Sequence, residues 1–256
     1  MKLERRQVEK PWGRETLPAP FGDTGGRRIG EIWFEGADGL PLLAKYIFTS
    51  EKLSVQVHPD DAQARARGLA SGKSECWYIL EAEPGATLGL GLRKATSPER
   101  LRAAALDGSI EELMDWVPVS PGDFYFVPAG TVHAIGAGIA LLEFQQNSDV
   151  TYRLYDYGRP RELHLDDGIA VARPEPYRRQ AEAEAPVLFA GPPFTLMRTR
   201  GDSALLGDRR RWVLPLDGSA RSGTDEAGPG DCLLLEPGAA LALSGTAFIG
   251  AEGALG

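Results

Sequence analysis

Short apolar runs separated by glycine- and proline-containing turns constrain the fold of this chain more than any other feature. The runs are rich in β-branched and aromatic residues, and 31 glycines and 19 prolines in 256 residues leave little room for long helices. The main runs are LPLLAKYIF (40–48), LSVQVH (53–58), CWYILEA (76–82), DFYFVP (123–128), GIALLEFQQ (138–146) and VTYRLYDYG (150–158). This spacing is typical of an antiparallel sandwich or barrel, so we predict a mainly β fold.

Helical signals interrupt the β pattern at one main place. In SPERLRAAALDGSIEELMDW, Ser97 is a candidate N-cap with Pro98 at the first helical position, and Ser109 with Glu112 reads as a capping box. We therefore predict a small helical insertion at about 97–117. A shorter polar segment, DDAQARARGLA (60–70), is expected to form one or two further helical turns.

A weak internal repeat predicts a second β lobe. The turn-strand-turn segment PGDFYFVPAG (121–130) is echoed by PGDCLLLEPG (229–238), but no histidine follows the second copy. The stretch 174–185 is rich in proline and charge and is a candidate linker. We therefore expect a metal-binding lobe over 1–173 and a compact C-terminal β lobe over 186–256 that lacks metal ligands.

Charge and hydropathy exclude several classes of function. A net charge of −8 and a pI near 5.1 argue against binding a nucleic-acid backbone, which requires many phosphates to be neutralised at once. The sequence has no apolar run of membrane-spanning length and no signal-peptide core near its start, so we expect a cytoplasmic protein without a membrane partner. Two cysteines, Cys76 and Cys232, are expected to be ordinary reduced thiols.

The run LSVQVHPDD (53–61) has an unusual polar face. Because alternate residues of a strand share a face, Ser54, Gln56 and His58 project together. Val55 and Val57 project to the opposite side, where we expect them to pack in the sandwich core. The polar face must then point to solvent or into a barrel lumen.

Two further segments supply residues of the same chemical kind. Glu75 opens the apolar strand in GKSECWYIL, and Lys73 lies two residues earlier on the same face. In GDFYFVPAGTVH, a Gly-x5-Pro-x-Gly-x2-His spacing places His133 just after a tight turn. Singly, each residue is more often a structural or surface group. Together, Gln56, His58, Glu75 and His133 form a donor set that suits zinc, with a position left open for water or substrate.

These segments carry a resemblance to a known family. LSVQVHPDD, GKSECWYIL, GDFYFVPAGTVHAIGAG and LLEFQQNSDVTYRLYDYGR resemble, in order, the signature segments of type I mannose-6-phosphate isomerases of the cupin superfamily. The resemblance covers roughly residues 50–165. It implies a cupin-type jelly roll and a zinc-dependent interconversion of mannose 6-phosphate and fructose 6-phosphate. We expect the protein to be a monomer or homodimer whose partner is a small-molecule sugar phosphate.

The resemblance also implies a role for individual residues. One zinc, or another divalent ion, would be bound by Gln56, His58, Glu75 and His133. Substrate binding would fall to Ser54, Lys73, Asp149 and Arg153. Catalysis would involve Lys73, Arg153 and Glu143, the last at the position of a carboxylate proposed to transfer protons. His164 matches no ligand position and is expected to be a structural or surface residue.

The chemistry accounts for these residue types. Moving a carbonyl between two sugar carbons requires a C–H proton to be removed and returned to the neighbouring carbon while negative charge develops on oxygen. A carboxylate whose pKa is raised by burial can carry the proton, and a metal or cation can stabilise the oxygen charge. Two alternatives remain at this point. One is a different metal-dependent cupin enzyme, although oxygenase cupins usually offer a His-x-His pair and Gln56 replaces the first His. The other is a sugar-phosphate-binding cupin without turnover.

Overall fold

The architecture is mainly β, as predicted. The computed structural model describes residues 1–36, 39–179, 185–201 and 206–255. Within these ranges the strands are β1 (Glu4–Arg14), β2 (Ile29–Glu35), β3 (Leu42–Phe48), β4 (Val55–Val57), β5 (Glu75–Ala82), β6 (Thr87–Leu92), β7 (Met114–Pro118), β8 (Phe124–Val127), β9 (His133–Ile135), β10 (Ile139–Gln146), β11 (Tyr152–Tyr155), β12 (Val187–Ala190), β13 (Phe194–Arg200), β14 (Arg211–Pro215), β15 (Ser219–Ser222), β16 (Asp225–Ala227), β17 (Leu233–Leu235), β18 (Ala242–Ser244) and β19 (Thr246–Glu252). The helices are α1 (Asp61–Arg65), α2 (Pro98–Asp107), α3 (Ile110–Leu113) and α4 (Leu165–Val171).

Two antiparallel sheets face each other in the first half of the chain. One has the strand order β1-β2-β3-β10-β5-β8 and the other β11-β4-β9-β6-β7. The space between them is filled by apolar side chains from both sheets. They include Ile47, Trp77, Ile79 and Leu141 from the first sheet and Leu88, Leu90 and Ile135 from the second. Burying each such side chain contributes about 1.5–3 kcal/mol, so this layer holds the two sheets together.

Helices cover the outer face of the five-stranded sheet, which corrects one expectation. Val55 and Val57 pack with Leu101 of α2, Ile110 of α3 and Val171 of α4, not between the two sheets. The reason is the alternation of β4: its polar face turns toward the intersheet space, so its valines must face the helices. Within the described ranges, no helix is long and apolar enough to cross a membrane.

The predicted helical insertion is shorter than its expected range of 97–117. Ser97 caps α2 by accepting a hydrogen bond from the Arg100 amide at 3.2 Å, as its sequence indicated. Helical structure ends at Leu113, because Met114–Pro118 is β7 and pairs with β6. The helical part of the insertion therefore stops where the chain returns to the sheet.

The expected capping box at Ser109 is wrong. Ser109 precedes α3 but makes no side-chain capping bond, and its hydroxyl instead donates to Asp107 at 2.6 Å. A capping box is present at α1, where Asp60 accepts from the Gln63 amide at 2.8 Å and the Gln63 side chain accepts from the Asp60 amide at 3.0 Å. The aspartate-glutamine pair supplies the same reciprocal hydrogen bonds as the commoner serine-glutamate pair.

A second β layer packs behind the first sandwich. The sheet β12-β13-β19-β14-β17 covers the outer face of the six-stranded sheet, and a small sheet, β16-β15-β18, packs on its far side. Phe144 of β10 lies against Phe194 and Trp212, with ring centroids 5.4 and 6.2 Å apart. The predicted lobe 186–256 therefore shares a core with the first sandwich. Residues 180–184 of the expected linker lie outside the described residues.

Candidate active site

Three strands from two facing sheets position the candidate metal donors. In the five-stranded sheet, Gln56 of β4 is the register partner of His133 of β9, so both project into the intersheet space. His58 follows directly after β4. Glu75 begins β5 in the opposite sheet. The structure thus brings His58, Glu75 and His133 together, with one candidate ligand atom of each within 4.8 Å of the others.

The contacts among these donors are close, and each side chain is 1% exposed. Nε2 of His133 lies 3.3 Å from Oε1 of Glu75, and Nε2 of His58 lies 3.5 Å from Oε2. The two imidazole centroids are 4.8 Å apart. Two imidazole nitrogens therefore point at the two oxygens of one carboxylate.

Both histidines are held in the neutral form that binds metals. Burial, with the nearby Lys73 ammonium, lowers the pKa of His133 to about 4 and the pKa of His58 well below its ordinary value. Nδ1 of His133 donates to the carbonyl of Thr131 at 2.9 Å. This bond fixes the tautomer and leaves the lone pair of Nε2 directed toward Glu75.

The protonation and hydrogen bonding of Glu75 show whether the donor group suits a metal ion. Burial raises its pKa to about 7, against the opposing effect of Lys73. Among the described residues, no donor makes a hydrogen bond to Oε1 of Glu75, although the atom is buried. A buried carboxylate oxygen without a donor, facing two neutral imidazoles, is a donor arrangement that suits a divalent cation.

Gln56 and Lys73 complete the surroundings of the donors. The amide nitrogen of Gln56 lies 3.3 Å from Nε2 of His133, and its oxygen accepts from Ser54 Oγ at 3.1 Å. A half-turn of the amide would present the oxygen to the histidines. Lys73 is 4% exposed, contacts the Glu75 carboxylate and lies 2.9 Å from Nε2 of His58, so it is no solvated loop lysine.

A polar cleft opens next to the donors and contains the remaining predicted site residues. Cations predominate along it, which suits an anionic ligand. Its polar lining comprises Lys10, Glu31, Lys45, Ser54, Gln56, Lys73, Glu143, Asp149, Thr151, Arg153 and Arg161. Every residue that the sequence assigned to substrate binding or catalysis therefore lies along one cleft.

Strand pairing explains how Arg153 reaches the cleft. Arg153 of β11 is the register partner of Gln56 on β4, and its Nε donates to the carbonyl of Glu162 at 3.0 Å. Partial burial and the neighbouring Arg161 lower its pKa. His164 lies outside the metal-donor group and accepts from the Arg153 amide through Nδ1 at 3.3 Å, in keeping with a structural role.

The electrostatics of Glu143 differ from the expected proton-transfer carboxylate. Burial alone would raise its pKa, but Lys45 and Lys73 outweigh burial and lower the pKa to about 2. Lys45 Nζ lies 3.1 Å from Oε1, and Trp77 Nε1 donates to Oε2 at 3.0 Å. A raised pKa is found at Glu75, while Glu143 is held ionised.

Sequence reasoning missed Lys45 and Glu31. Both are buried, at 5% and 7% exposure, and both line the cleft. The available signal was a charged residue inside an apolar run, in LPLLAKYIF (40–48) and IGEIW (29–33). A buried charge requires a partner, so such a residue marks a polar site within a core layer.

Known proteins resemble this chain in sequence and in structure. It is 46% identical over 162 residues to the mannose-6-phosphate isomerase ManA of Bacillus subtilis, across 57% of this chain and 51% of that protein. A crystal structure of the mannose 6-phosphate isomerase from Bacillus subtilis matches with a TM-score of 0.80 at 27% identity, covering 97% of this chain and 98% of that one. The chain is a relative of the mannose-6-phosphate isomerases.

Its fold is the cupin fold of these isomerases, as the sequence motifs implied. A zinc-bound mannose 6-phosphate isomerase structure matches with a TM-score of 0.71 at 16% identity, covering 98% of this chain and 99% of that one, which supports the fold alone. No protein-family model matches the chain. The chain spans about half the length of the curated isomerases it matches in sequence.

Proposed function

We propose that the protein is a metal-dependent aldose-ketose isomerase that interconverts mannose 6-phosphate and fructose 6-phosphate. The observation that carries the proposal is the buried donor group of His58, Glu75 and His133 beside a cation-lined cleft. The kinship with mannose-6-phosphate isomerases supplies the substrate. We take the protein to be cytoplasmic, to act on a small sugar phosphate without nucleic-acid or membrane partners, and to be a monomer or homodimer.

One zinc ion per chain is the proposed cofactor, with other divalent ions as substitutes. His58, Glu75 and His133 would hold it, with Gln56 as the fourth ligand after its amide turns. When bound, the ion would supply positive charge that stabilises the negative charge developing on sugar oxygen during isomerisation. The neutral imidazoles and the unpaired Glu75 oxygen support this choice over hard-cation sites built from oxygen alone.

The phosphate end of the sugar would be fixed by the cations of the cleft. Arg153 presents a planar guanidinium suited to two phosphate oxygens, and Ser54, which precedes β4, adds a hydroxyl donor. Lys73 lies against Glu75 and His58 and would contact the sugar at its reacting end. Asp149 would accept a hydrogen bond from a sugar hydroxyl. Holding the phosphate far from the reacting carbons uses binding energy to orient the carbonyl end.

Proton transfer would be shared between a carboxylate and a cation. Glu143 would accept the C2 proton of the aldose and return it to C1, through an enediol. In the same steps a hydroxyl proton must leave O2 and a proton must reach O1, for which Lys73 is the neighbouring group. Each transferred proton is returned, so no further reactant is required.

The direct test is turnover under metal control. We expect purified, zinc-loaded protein to interconvert the two sugar phosphates, to lose activity when EDTA removes the metal, and to recover when zinc is restored. A coupled assay for fructose 6-phosphate measures this. Metal-loaded protein that binds mannose 6-phosphate without converting it would instead be a sugar-phosphate-binding cupin.

Arg153→Met should raise the KM for mannose 6-phosphate by about 10- to 100-fold, because a hydrogen bond to a charged group contributes about 1.5–3 kcal/mol. The matched control is Arg67→Met, which removes an arginine whose Nε lies 3.0 Å from the exposed Asp167. Steady-state kinetics of both variants measure the KM and show whether Arg153 binds the phosphate. An unchanged KM in Arg153→Met would remove Arg153 from the phosphate site.

A further inference from the structure

Four side chains form a continuous row across the face of the six-stranded sheet that looks into the cleft. Trp33 of β2 pairs in register with Lys45 of β3, Lys45 with Glu143 of β10, and Glu143 with Trp77 of β5. Direct register partners project on the same face with their Cβ atoms about 4.5–5.5 Å apart. The row is therefore set by strand register, which neither loop motion nor side-chain rotation alters.

The contacts along the row fix both charged groups. The Lys45 ammonium lies 4.6 Å from the centroid of the Trp33 ring and 3.1 Å from Oε1 of Glu143. Trp77 Nε1 donates to the other oxygen of Glu143 at 3.0 Å. One oxygen of the carboxylate thus has an ion-pair partner and the other a hydrogen-bond donor, so neighbouring side chains of the row are in contact from strand to strand.

A stability role alone explains the row poorly. Burying a lysine and a glutamate costs desolvation energy that their attraction often fails to recover, and apolar residues of similar size usually serve a core at least as well. Lys45 and Glu143 are 5% and 3% exposed, yet they stand beside a cleft that the proposed substrate enters. Such an arrangement is expected where neighbouring side chains hold a reacting group, here Glu143, in a fixed geometry.

We propose that Lys45 is a positioning residue that fixes Glu143 as an ionised carboxylate at one place and in one orientation in the cleft. The catalytic part of this proposal rests on the proposed isomerase function, whereas the fixing of Glu143 is a property of the protein alone. Glu143 then meets the substrate as a preformed base, and Lys45 acts through it without touching the reacting carbons.

Other charged groups also face Glu143 and limit how far its pKa changes when Lys45 is replaced. Lys73 and Glu75 face it from the β5 side, and His133 faces it from the opposite sheet. Glu31 lies near the Lys45 ammonium. Without the Lys45 charge, burial is opposed mainly by Lys73, so the pKa of Glu143 rises, and the carboxylate also loses the ion pair that holds its orientation.

The test compares Lys45→Met and Lys45→Arg in zinc-loaded protein. We expect Lys45→Met to lower kcat about 100-fold with little change in KM, since general acid-base catalysis contributes about 10²–10⁴-fold. The acidic limb of its pH profile should move to higher pH, and Lys45→Arg should restore most of the activity. If Lys45→Met does not fold, Lys45→Gln replaces it with the same expectations.

The control is an equivalent lysine outside the cleft. Lys52 lies 2.7 Å from Glu111 and 4.7 Å from the Trp116 ring, which is the same chemical arrangement at an exposed place. Lys52→Met should leave the pH profile unchanged. The proposal would be overturned if folded, zinc-loaded Lys45→Met has the kcat and the pH profile of the wild type. The same result in Lys45→Gln would overturn it if Lys45→Met does not fold.

A second readout separates this proposal from the proposed function. The ¹³C signal of the Glu143 side-chain carboxyl reports its ionisation without any substrate, and it should titrate at higher pH in Lys45→Met than in wild type. Equal titration in both proteins would overturn the proposal that Lys45 fixes Glu143 as an ionised carboxylate. An inactive wild-type protein with the expected titration difference would refute the isomerase function and leave Lys45 as the group that fixes Glu143.

Discussion

Replacing His133 with alanine should abolish zinc retention and lower kcat/KM by more than about 100-fold. Loss of a group that only supports a metal ligand typically costs 10- to 100-fold in affinity or activity, and loss of a ligand costs more. His133 is the donor whose Nε2 faces Glu75 at 3.3 Å and whose tautomer is fixed by Thr131. Metal analysis after gel filtration, together with the coupled isomerase assay, measures both effects.

His164→Ala is the matched control for this substitution. His164 is 26% exposed in its side chain and contacts the Arg153 backbone, outside the donor group. We expect its variant to keep one zinc per chain. Equal zinc loss from the two variants would show that His133 affects metal binding only through the fold, and the ligand assignment would fail.

Phe144→Ala should lower the free energy of unfolding by about 3–5 kcal/mol. The ring is fully buried between the two β layers and touches Phe194 and Trp212 of the second layer. Because this core is shared, we expect both layers to unfold in one transition in wild type. Urea denaturation followed by tryptophan fluorescence and by circular dichroism gives the free energy and tests the coincidence of the two probes.

Leu106→Ala provides the surface control, because Leu106 is 66% exposed. Its free energy of unfolding should change by less than about 0.5 kcal/mol. Two separate transitions in the wild-type protein would contradict the shared core and would favour independent lobes over 1–173 and 186–256.

The fold class could be predicted because it depends on local signals. Apolar runs between turns marked the strands, and Ser97 marked the start of α2. The side on which each strand face is covered depends on distant elements, which is why Val55 and Val57 were assigned to the wrong layer. Likewise, β7 begins at Met114 because β6 offers a partner strand, and nothing local to the segment indicates that.

In the candidate site, too, some residues could be predicted from local sequence and others depend on distant strands. His58, Glu75 and His133 were found from motifs, and the structure brings them together. Lys45 was missed because its meaning depends on register: it becomes part of the site only when β3 pairs with β10 and places it beside Glu143. A lone lysine in an apolar run indicates a buried charge, but only the pairing identifies its partner.

We propose that one divalent metal bound by His58, Glu75 and His133 makes the protein an isomerase. The most direct measurement is a zinc titration of metal-free protein, with the rate of conversion of mannose 6-phosphate to fructose 6-phosphate recorded at each step. We predict that activity rises linearly and reaches a plateau at one zinc per chain. Activity independent of zinc, or zinc bound at one per chain without any conversion, would contradict a zinc-dependent isomerase.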